Sequence, residues 1–338
     1  MSNNLFENVI CFGDIHYGLK NNSKEHNQDC EDFVDWLIEQ AKVKNCKTCM
    51  FLGDWHHHRS TINVLTLNYT VASLRKLNGY FDKVYVMVGN HDMFYRERRD
   101  VHSLIASDEF ANIILVDKPV TINNVTLIPW LVEDEWKQIS KIKSKYIFGH
   151  LELPGFRMNA AVVMPDHGTL NSTHFENQDY VFSGHFHNRQ KSGKVHYIGN
   201  PFGHNFGDAW DFDRGAMYLE WGGTPEYINY TSGPRYINTT LSALLADPDS
   251  MLQPNTYVQV VLDMDITFEE ASVIKETFID QYNVREFKIL QNQDEHSSPD
   301  FVGDISLQTV DQIVVDQLTN IESNSYDSTT LIEIYNGL

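Results

Sequence analysis

Six short apolar runs, each ending in polar residues, limit the fold of this chain more than any other feature. They are VICFGD (residues 9–14), TCMFLGD (48–54), KVYVMVGNHD (83–92), KYIFGH (145–150), YVFSGH (180–185) and VHYIGN (195–200). Runs this short, rich in β-branched and aromatic residues, read as buried strands that empty into loops. Between the first two, Phe33, Trp36, Leu37, Ile38 and Ala41 recur at helical spacing within residues 29–44, and residues 62–77 repeat the pattern between the next two. Strand, helix, strand is the implied order. Over residues 120–128 two alternating stretches flank Asn123-Asn124, a pair that tolerates positive φ, so a hairpin is expected and later strands are expected to run antiparallel. The expected fold class is α/β: a layered double β-sheet sandwich flanked by helices, with polar residues gathered at the edge where strands hand over to loops.

After about residue 236 the metal-type residues stop. A strand at 257–262, a helix at 268–282 and a strand at 285–290 suggest a small α/β add-on, and QNQDEHSSPD (291–300) has the composition of a solvated linker. The expected organisation is a main domain over 1–235, an accessory domain over 236–290, a linker over 291–303 and a helical segment over 304–338. In that last segment Ile305, Leu307, Val310, Ile313, Val314, Leu318 and Ile321 form an apolar stripe of helical period, suited to a partner or to packing on its own domain.

With 338 residues, 42% hydrophobic and 21% charged, the chain can bury a sizeable core and a smaller second unit. It contains no run of about 18 apolar residues, and its start lacks a basic stretch followed by an apolar one, so neither a membrane span nor a secretory leader is expected. Cys11, Cys30, Cys46 and Cys49 are expected to be free thiols in a reducing cytoplasm. The Cys46/Cys49 pair has metal-ligand spacing, but no second pair completes a tetrahedral site. Against 46 Asp and Glu stand 26 Lys and Arg, a formal charge of −20. Lys and Arg supply most affinity for nucleic acid, so this chain alone should bind DNA weakly unless positive charge is locally concentrated or a partner supplies it.

The chemistry lies at the strand ends: Asp14-x-His16, Gly53-Asp54, Gly89-Asn90-His91-Asp92, Gly149-His150 and Gly184-His185-Phe186-His187. Any one of these alone means little, and a single histidine among 15 is more often a core or surface residue. Five such sites on successive strand ends point to convergence on one edge. Calcium would want nearly all oxygen ligands and structural zinc thiolates, whereas a mixture of Asp, Asn and His suits Mn²⁺, Fe²⁺ or Zn²⁺. Seven ligands exceed what one tetrahedral ion needs and suit two ions about 3.5–4 Å apart sharing a carboxylate, with Asp54 the natural bridge.

These ordered motifs resemble the calcineurin-like metallophosphoesterase superfamily, with its DxH, GD, GNH(D/E), GH and GHxH signature. The resemblance implies that Asp14, His16, Asp54 and His187 hold one ion, and Asp54, Asn90, His150 and His185 the other, with His91 catalytic. Within the superfamily the chain is similar to SbcD-type nucleases of double-strand-break repair, and in particular to their phage counterparts, recombination endonuclease subunits. The length, the histidine three residues after Asp54, the passage Tyr197-Ile198-Gly199-Asn200-Pro201 and the small domain with terminal helices carry that similarity. It implies a DNA exonuclease and endonuclease using two divalent ions, Mn²⁺ first, with Mg²⁺, Fe²⁺ or Zn²⁺ as alternatives. It also implies an SbcC-type, SMC-like ATPase partner docked through the C-terminal helices, a possible homodimer, and a cytoplasmic location, in the host cell if the protein is phage-encoded.

The sequence departs from that group at Trp55-His56-His57-His58, where His57 keeps the usual spacing and is the expected second substrate-facing histidine, with His56 and His58 as possible mimics. Asp92 is expected to orient His91 or to cap a loop. The cluster Arg96, Arg98 and Arg99 is expected to hold substrate phosphates or to form solvated ion pairs. Two alternatives stand beside the nuclease: a phosphodiesterase or protein phosphatase acting on a non-DNA substrate, and a non-catalytic regulator of the ATPase. The tail argues against the first and the complete ligand set against the second.

Overall fold

The computed structural model describes residues 4–158 and 162–290. Fifteen strands form three sheets among the described residues: β1 (Asn8–Phe12), β2 (Thr48–Phe51), β3 (Lys83–Met87), β4 (Ile113–Val116), β5 (Val120–Ile122), β6 (Val125–Ile128), β7 (Tyr146–His150), β8 (Tyr180–Gly184), β9 (Gln190–Ser192), β10 (Val195–Tyr197), β11 (Gly215–Glu220), β12 (Glu226–Asn229), β13 (Arg235–Thr240), β14 (Thr256–Val261) and β15 (Glu286–Leu290). The first sheet runs β12-β11-β1-β2-β3-β4 and the second β5-β6-β7-β8-β10-β9.

Alternation along the strands explains the layering, since successive side chains point to opposite faces. Val9 and Cys11 of β1, Met50 and Leu52 at β2, and Tyr85 and Met87 of β3 meet Val125, Leu127, Tyr146, Phe148 and Phe182 of the second sheet in one apolar layer. The intervening residues Ile10, Phe12, Cys49, Phe51, Val84 and Val86 face the other way. They pack on Phe33, Val34, Leu37 and Ala41 of the helix Lys24–Val43 and on Leu74 and Leu77 of the helix Val64–Tyr80. Strands buried on both faces must be apolar at every position, which is why these runs lack a polar alternation. All four cysteines are buried free thiols within these layers.

The expected hairpin forms, β5 pairing antiparallel with β6 across Asn123 and Asn124, whose φ values are 47° and 66°. The expectation that the strands beyond it are antiparallel is corrected: β6, β7, β8 and β10 pair parallel. Long connections between β6, β7 and β8 let the chain return to the same end of the sheet, which a two-residue turn cannot do. Antiparallel pairing reappears at β9 with β10 and where β11 joins β1 and β12.

The third sheet, β13-β14-β15, is all parallel and packs with the helix Phe268–Tyr282 around Ile237, Leu244, Val258, Val260 and Phe287. A capping box between Thr267 and Glu270 starts that helix. Arg285 ties the unit to the helix Lys24–Val43 through two hydrogen bonds to Asp29, at 2.6 and 2.7 Å. The expected linker over 291–303 and the helical segment over 304–338, with its apolar stripe, lie outside the described residues. Among the described residues, no helix is long and apolar enough to cross a membrane.

Candidate metal centre

Parallel pairing puts the C-terminal ends of β1, β2 and β3 at one edge of the first sheet, and those of β7 and β8 at one edge of the second. Asp14 and His16 follow β1, Asp54 follows β2, Asn90 and His91 follow β3, His150 ends β7, and His185 and His187 follow β8. Asp14, His16, Asp54 and His185 all adopt left-handed backbone, with φ of 53°, 52°, 63° and 88°. Each such residue carries strain of about 1 kcal/mol or more, and such strain persists only where surrounding contacts over-determine the loop. Here the N–H groups of Asp14 and His16 donate to the carbonyls of Gly53 and Asp54, locking the first two loops together. Gly53 has φ 99°, and a Cβ there would lie 2.5 Å from the His150 ring; a Cβ on Gly89 would run into the Asp54 carboxylate. These glycines precede ligand-type residues because neighbouring ones occupy their side-chain space.

Main-chain amides aim the carboxylates. His91 N–H donates to Asp54 Oδ1 and His185 N–H to Asp14 Oδ1, each at 2.8 Å. Asp54 Oδ2 then lies 3.7 Å from His16 Nε2 and 3.5 Å from His150 Nε2. Donor atoms of Asp14, His16 and Asp54 fall within 4.8 Å of one another, as do those of Asp54, His150 and His185. His187 Nε2 is 3.2 Å from His16 Nε2 in the first group. In the second, Asn90 Oδ1 lies 2.9 Å from His150 Nε2 and 3.1 Å from His185 Nδ1. The seven residues expected as ligands therefore lie together in two groups that share Asp54.

The buried groups act strongly on one another's charge. Burial, with the nearby Asp54 charge adding to it, pushes the Asp14 carboxyl up to about 7. Burial acts upward on Asp54 too, but His150, His16 and His91 hold it well below the ordinary carboxylate range. Burial would lower His150, yet the Asp54 carboxylate brings it up to about 9. Burial lowers His187 to about 4 and His16 well below its usual value, so these imidazoles present neutral nitrogen lone pairs.

The remaining expected site residues fall in different places. His91 Nδ1 lies 2.8 Å from the His57 carbonyl, and the His57 ring stacks on it at 5.4 Å. His56 turns inward, its two nitrogens met by Ser103 and Thr70, while His58 packs on His57. Asp92 does not touch the His91 ring. It accepts main-chain N–H groups from Asp54, Trp55, His56 and Gly89 at 2.9–3.0 Å, which is the loop-capping arrangement that was the other expectation for it. Arg99 is buried and corrects the expected arginine cluster: it forks onto Glu135 at 2.6 and 2.8 Å and donates to the carbonyls of Asp117 and Trp130. Arg98 pairs with Asp100 and lies over the Tyr95 ring, leaving Arg96 exposed.

Residues 8–189, more than half of the sequence, match the calcineurin-like phosphoesterase family. The chain belongs to that family. Among curated proteins it is similar to exonuclease subunit 1 of Enterobacteria phage T4, 25% identical over 348 residues that span 98% of each chain. Among solved structures it is similar to the nuclease MPE of Pseudomonas putida, 19% identical over 56% of this chain and 66% of that one, with a TM-score of 0.30.

For a calcineurin-like phosphoesterase, the test is whether these residues fit divalent ions. Asp14 Oδ2, His16 Nδ1, His57 Nδ1 and His204 Nε2 are buried without a hydrogen-bond partner, an arrangement that is costly unless a cation or another polar group satisfies such atoms. The donors are oxygen and imidazole nitrogen with no thiolate, and they fit Mn²⁺, Fe²⁺ or Zn²⁺. Three residues about the site escaped the sequence reading. Glu152 lies 3.1 Å from His185 Nε2, and its only sequence signal was its place two residues after His150. Burial, with the Arg96 charge adding to it, lowers the Arg59 guanidinium, and the Asp54 charge acts on it in the opposite direction. His204, three residues beyond the Asn200-Pro201 passage, packs against His16 and His187.

Proposed function

We propose that this phosphoesterase is the nuclease subunit of a phage SbcCD-like recombination and double-strand-break processing complex, hydrolysing DNA phosphodiester bonds at a two-ion centre. The observation that carries the reading is the placing of Asp54 Oδ2 within 4 Å of both His16 and His150, so that one carboxylate serves both half-sites. Its support for DNA as substrate is the T4 relative, named an exonuclease subunit and aligned over nearly the whole of both chains. Asp14, His16, Asp54 and His187 would hold one ion and Asp54, Asn90, His150 and His185 the other, with Mn²⁺ expected. Two ions there supply Lewis acidity and neutralise charge building on the phosphate.

The chain's own groups do the rest. Main-chain amides of His91 and His185 fix which carboxylate oxygens stay available. His91, held through Nδ1 by the His57 carbonyl, keeps Nε2 for the leaving 3′ oxygen, to which the ring in its imidazolium form gives a hydrogen bond or proton. His57 stacks on His91 and lines the same approach. Arg96, with Arg59 beside it, provides the local positive charge that a chain of net charge −20 needs against DNA. The SMC-like ATPase partner would dock on the segment over 304–338.

A second reading, a phosphodiesterase or protein phosphatase with a non-DNA substrate, is favoured by the acidic balance and by the withdrawal of Arg99 into an ion pair. Mn²⁺-dependent release of nucleotides from linear double-stranded DNA, with and without the ATPase, separates the two. Digestion abolished by Asp54→Ala and His91→Ala supports the nuclease. No digestion, with brisk hydrolysis of a small phosphodiester, sinks the DNA assignment.

A further inference from the structure

We infer that His204 is an additional imidazole ligand in the Asp14 half of the centre, giving that half a third histidine and a preference for Zn²⁺ or Co²⁺ over Mn²⁺. The inference rests on the two-ion reading above. His204 is 2% exposed, and its Nε2 is buried without a hydrogen-bond partner. A donor atom of its ring lies within 4.8 Å of one from His16 and one from His187. The ring packs among those of His26, Phe202, His16 and His187, at centroid distances of 5.2–5.6 Å.

The backbone is built to keep it there. His204 N–H donates to Asp208 Oδ2 at 2.8 Å, and the other oxygen of Asp208 takes a hydrogen bond from Arg214. Arg214 in turn donates to the main-chain carbonyl of His187 at 3.0 Å. One buried guanidinium thus ties the loop carrying His204 to the loop carrying His187. Each imidazole added to an oxygen-rich set raises affinity for the later transition metals more than for Mn²⁺ or Mg²⁺.

The test uses the full-length chain stripped of metal, titrated separately with Zn²⁺, Co²⁺ and Mn²⁺ by calorimetry, with the visible spectrum of the Co²⁺ form recorded. Wild type is compared with His204→Ala, His204→Gln and His150→Ala, the last striking the other half-site. The expected result is two Co²⁺ per chain in wild type. In His204→Ala, one site should lose about 100-fold in Zn²⁺ and Co²⁺ affinity, the upper end of what an orienting partner is worth, and its Co²⁺ spectrum should change, as loss of an orienting partner alone would not make it do. Mn²⁺ affinity should fall by a distinctly smaller factor. Should the alanine variant melt early without metal, the comparison is read on His204→Gln, which keeps the volume. Equal losses for all three ions, or an unchanged Co²⁺ spectrum, would overturn the inference and leave the two-ion centre standing. Fewer than two ions in wild type would overturn the two-ion reading itself.

Discussion

Glu152 lies 3.1 Å from His185 Nε2, and a carboxylate in that position can only accept, so Nε2 carries the proton and Nδ1 is left to face Asn90. Carboxylate, imidazole and ligand face form a chain that sets the ring's tautomer and angle before any ion arrives. Replacing Glu152 by Gln should weaken divalent ion binding at the Asn90 half-site by roughly 10- to 100-fold. The half-saturating Mn²⁺ concentration should rise while activity at saturating Mn²⁺ stays close to wild type. A lowered maximal rate with unaltered metal dependence would show that Glu152 acts otherwise.

His91 packs against His16 through its ring but is absent from both proposed ligand sets. His91→Ala should therefore lower kcat on DNA by about 10²- to 10⁴-fold, the usual worth of a positioned acid or base. Calorimetric Mn²⁺ affinity should change little. Loss of metal binding in step with activity would instead make His91 a ligand.

The arginines divide by burial. Arg59→Ala and Arg96→Ala should raise KM for DNA and flatten its dependence on salt, since each removes a cation that releases counterions. Arg99→Ala should leave that salt slope unchanged and destabilise the fold by about 1–3 kcal/mol, because two carbonyls lose a donor and the part-exposed Glu135 loses its ion-pair partner. Salt-titrated KM values and urea melts of the three variants distinguish the classes.

Asp92 takes four main-chain N–H groups with its two oxygens. Asp92→Ala strands all four in a buried loop, and a loss of about 3 kcal/mol or more in urea unfolding is expected. Full stability in that variant would mean that water replaces the carboxylate.

Asp14, Asp54 and Asp92 are buried within reach of one another's charge, a repulsion that a bound cation relieves. Mn²⁺ at about 100 times its dissociation constant should add roughly 2.7 kcal/mol per site. Thermal melts with Mn²⁺ and with chelator should therefore differ by several degrees, and Asp54→Ala should abolish the difference. An identical shift in that variant would place the stabilising ion elsewhere.

Much of this was local and therefore legible. An apolar run buried on both faces leaves a continuous hydrophobic stretch, and a strand end that carries ligands leaves glycine followed by Asp, Asn or His. Both the layered α/β class and the grouping of Asp14, His16, Asp54, Asn90, His150, His185 and His187 follow from such short-range patterns. The parallel pairing of β6, β7 and β8 was not local, because a strand's direction depends on how far its connection travels before returning.

Tertiary structure alone decided the partners. Nothing within Arg96 to Arg99 says that the last arginine turns into the core, since Glu135 reaches it across 36 residues. Asp92 reads equally as an orienter of its neighbour or as a loop cap, and nothing local says that three of the amides it caps lie more than 30 residues earlier. Glu152 and His204 carry no motif, because their importance lies in which rings they face after the loops close. The sequence by itself determined which strand ends bear chemistry, through the burial and turn preferences of a few adjacent residues. Only the folded chain decided which side chains support that chemistry, because a hydrogen bond or a ligand contact is a property of two distant loops at once.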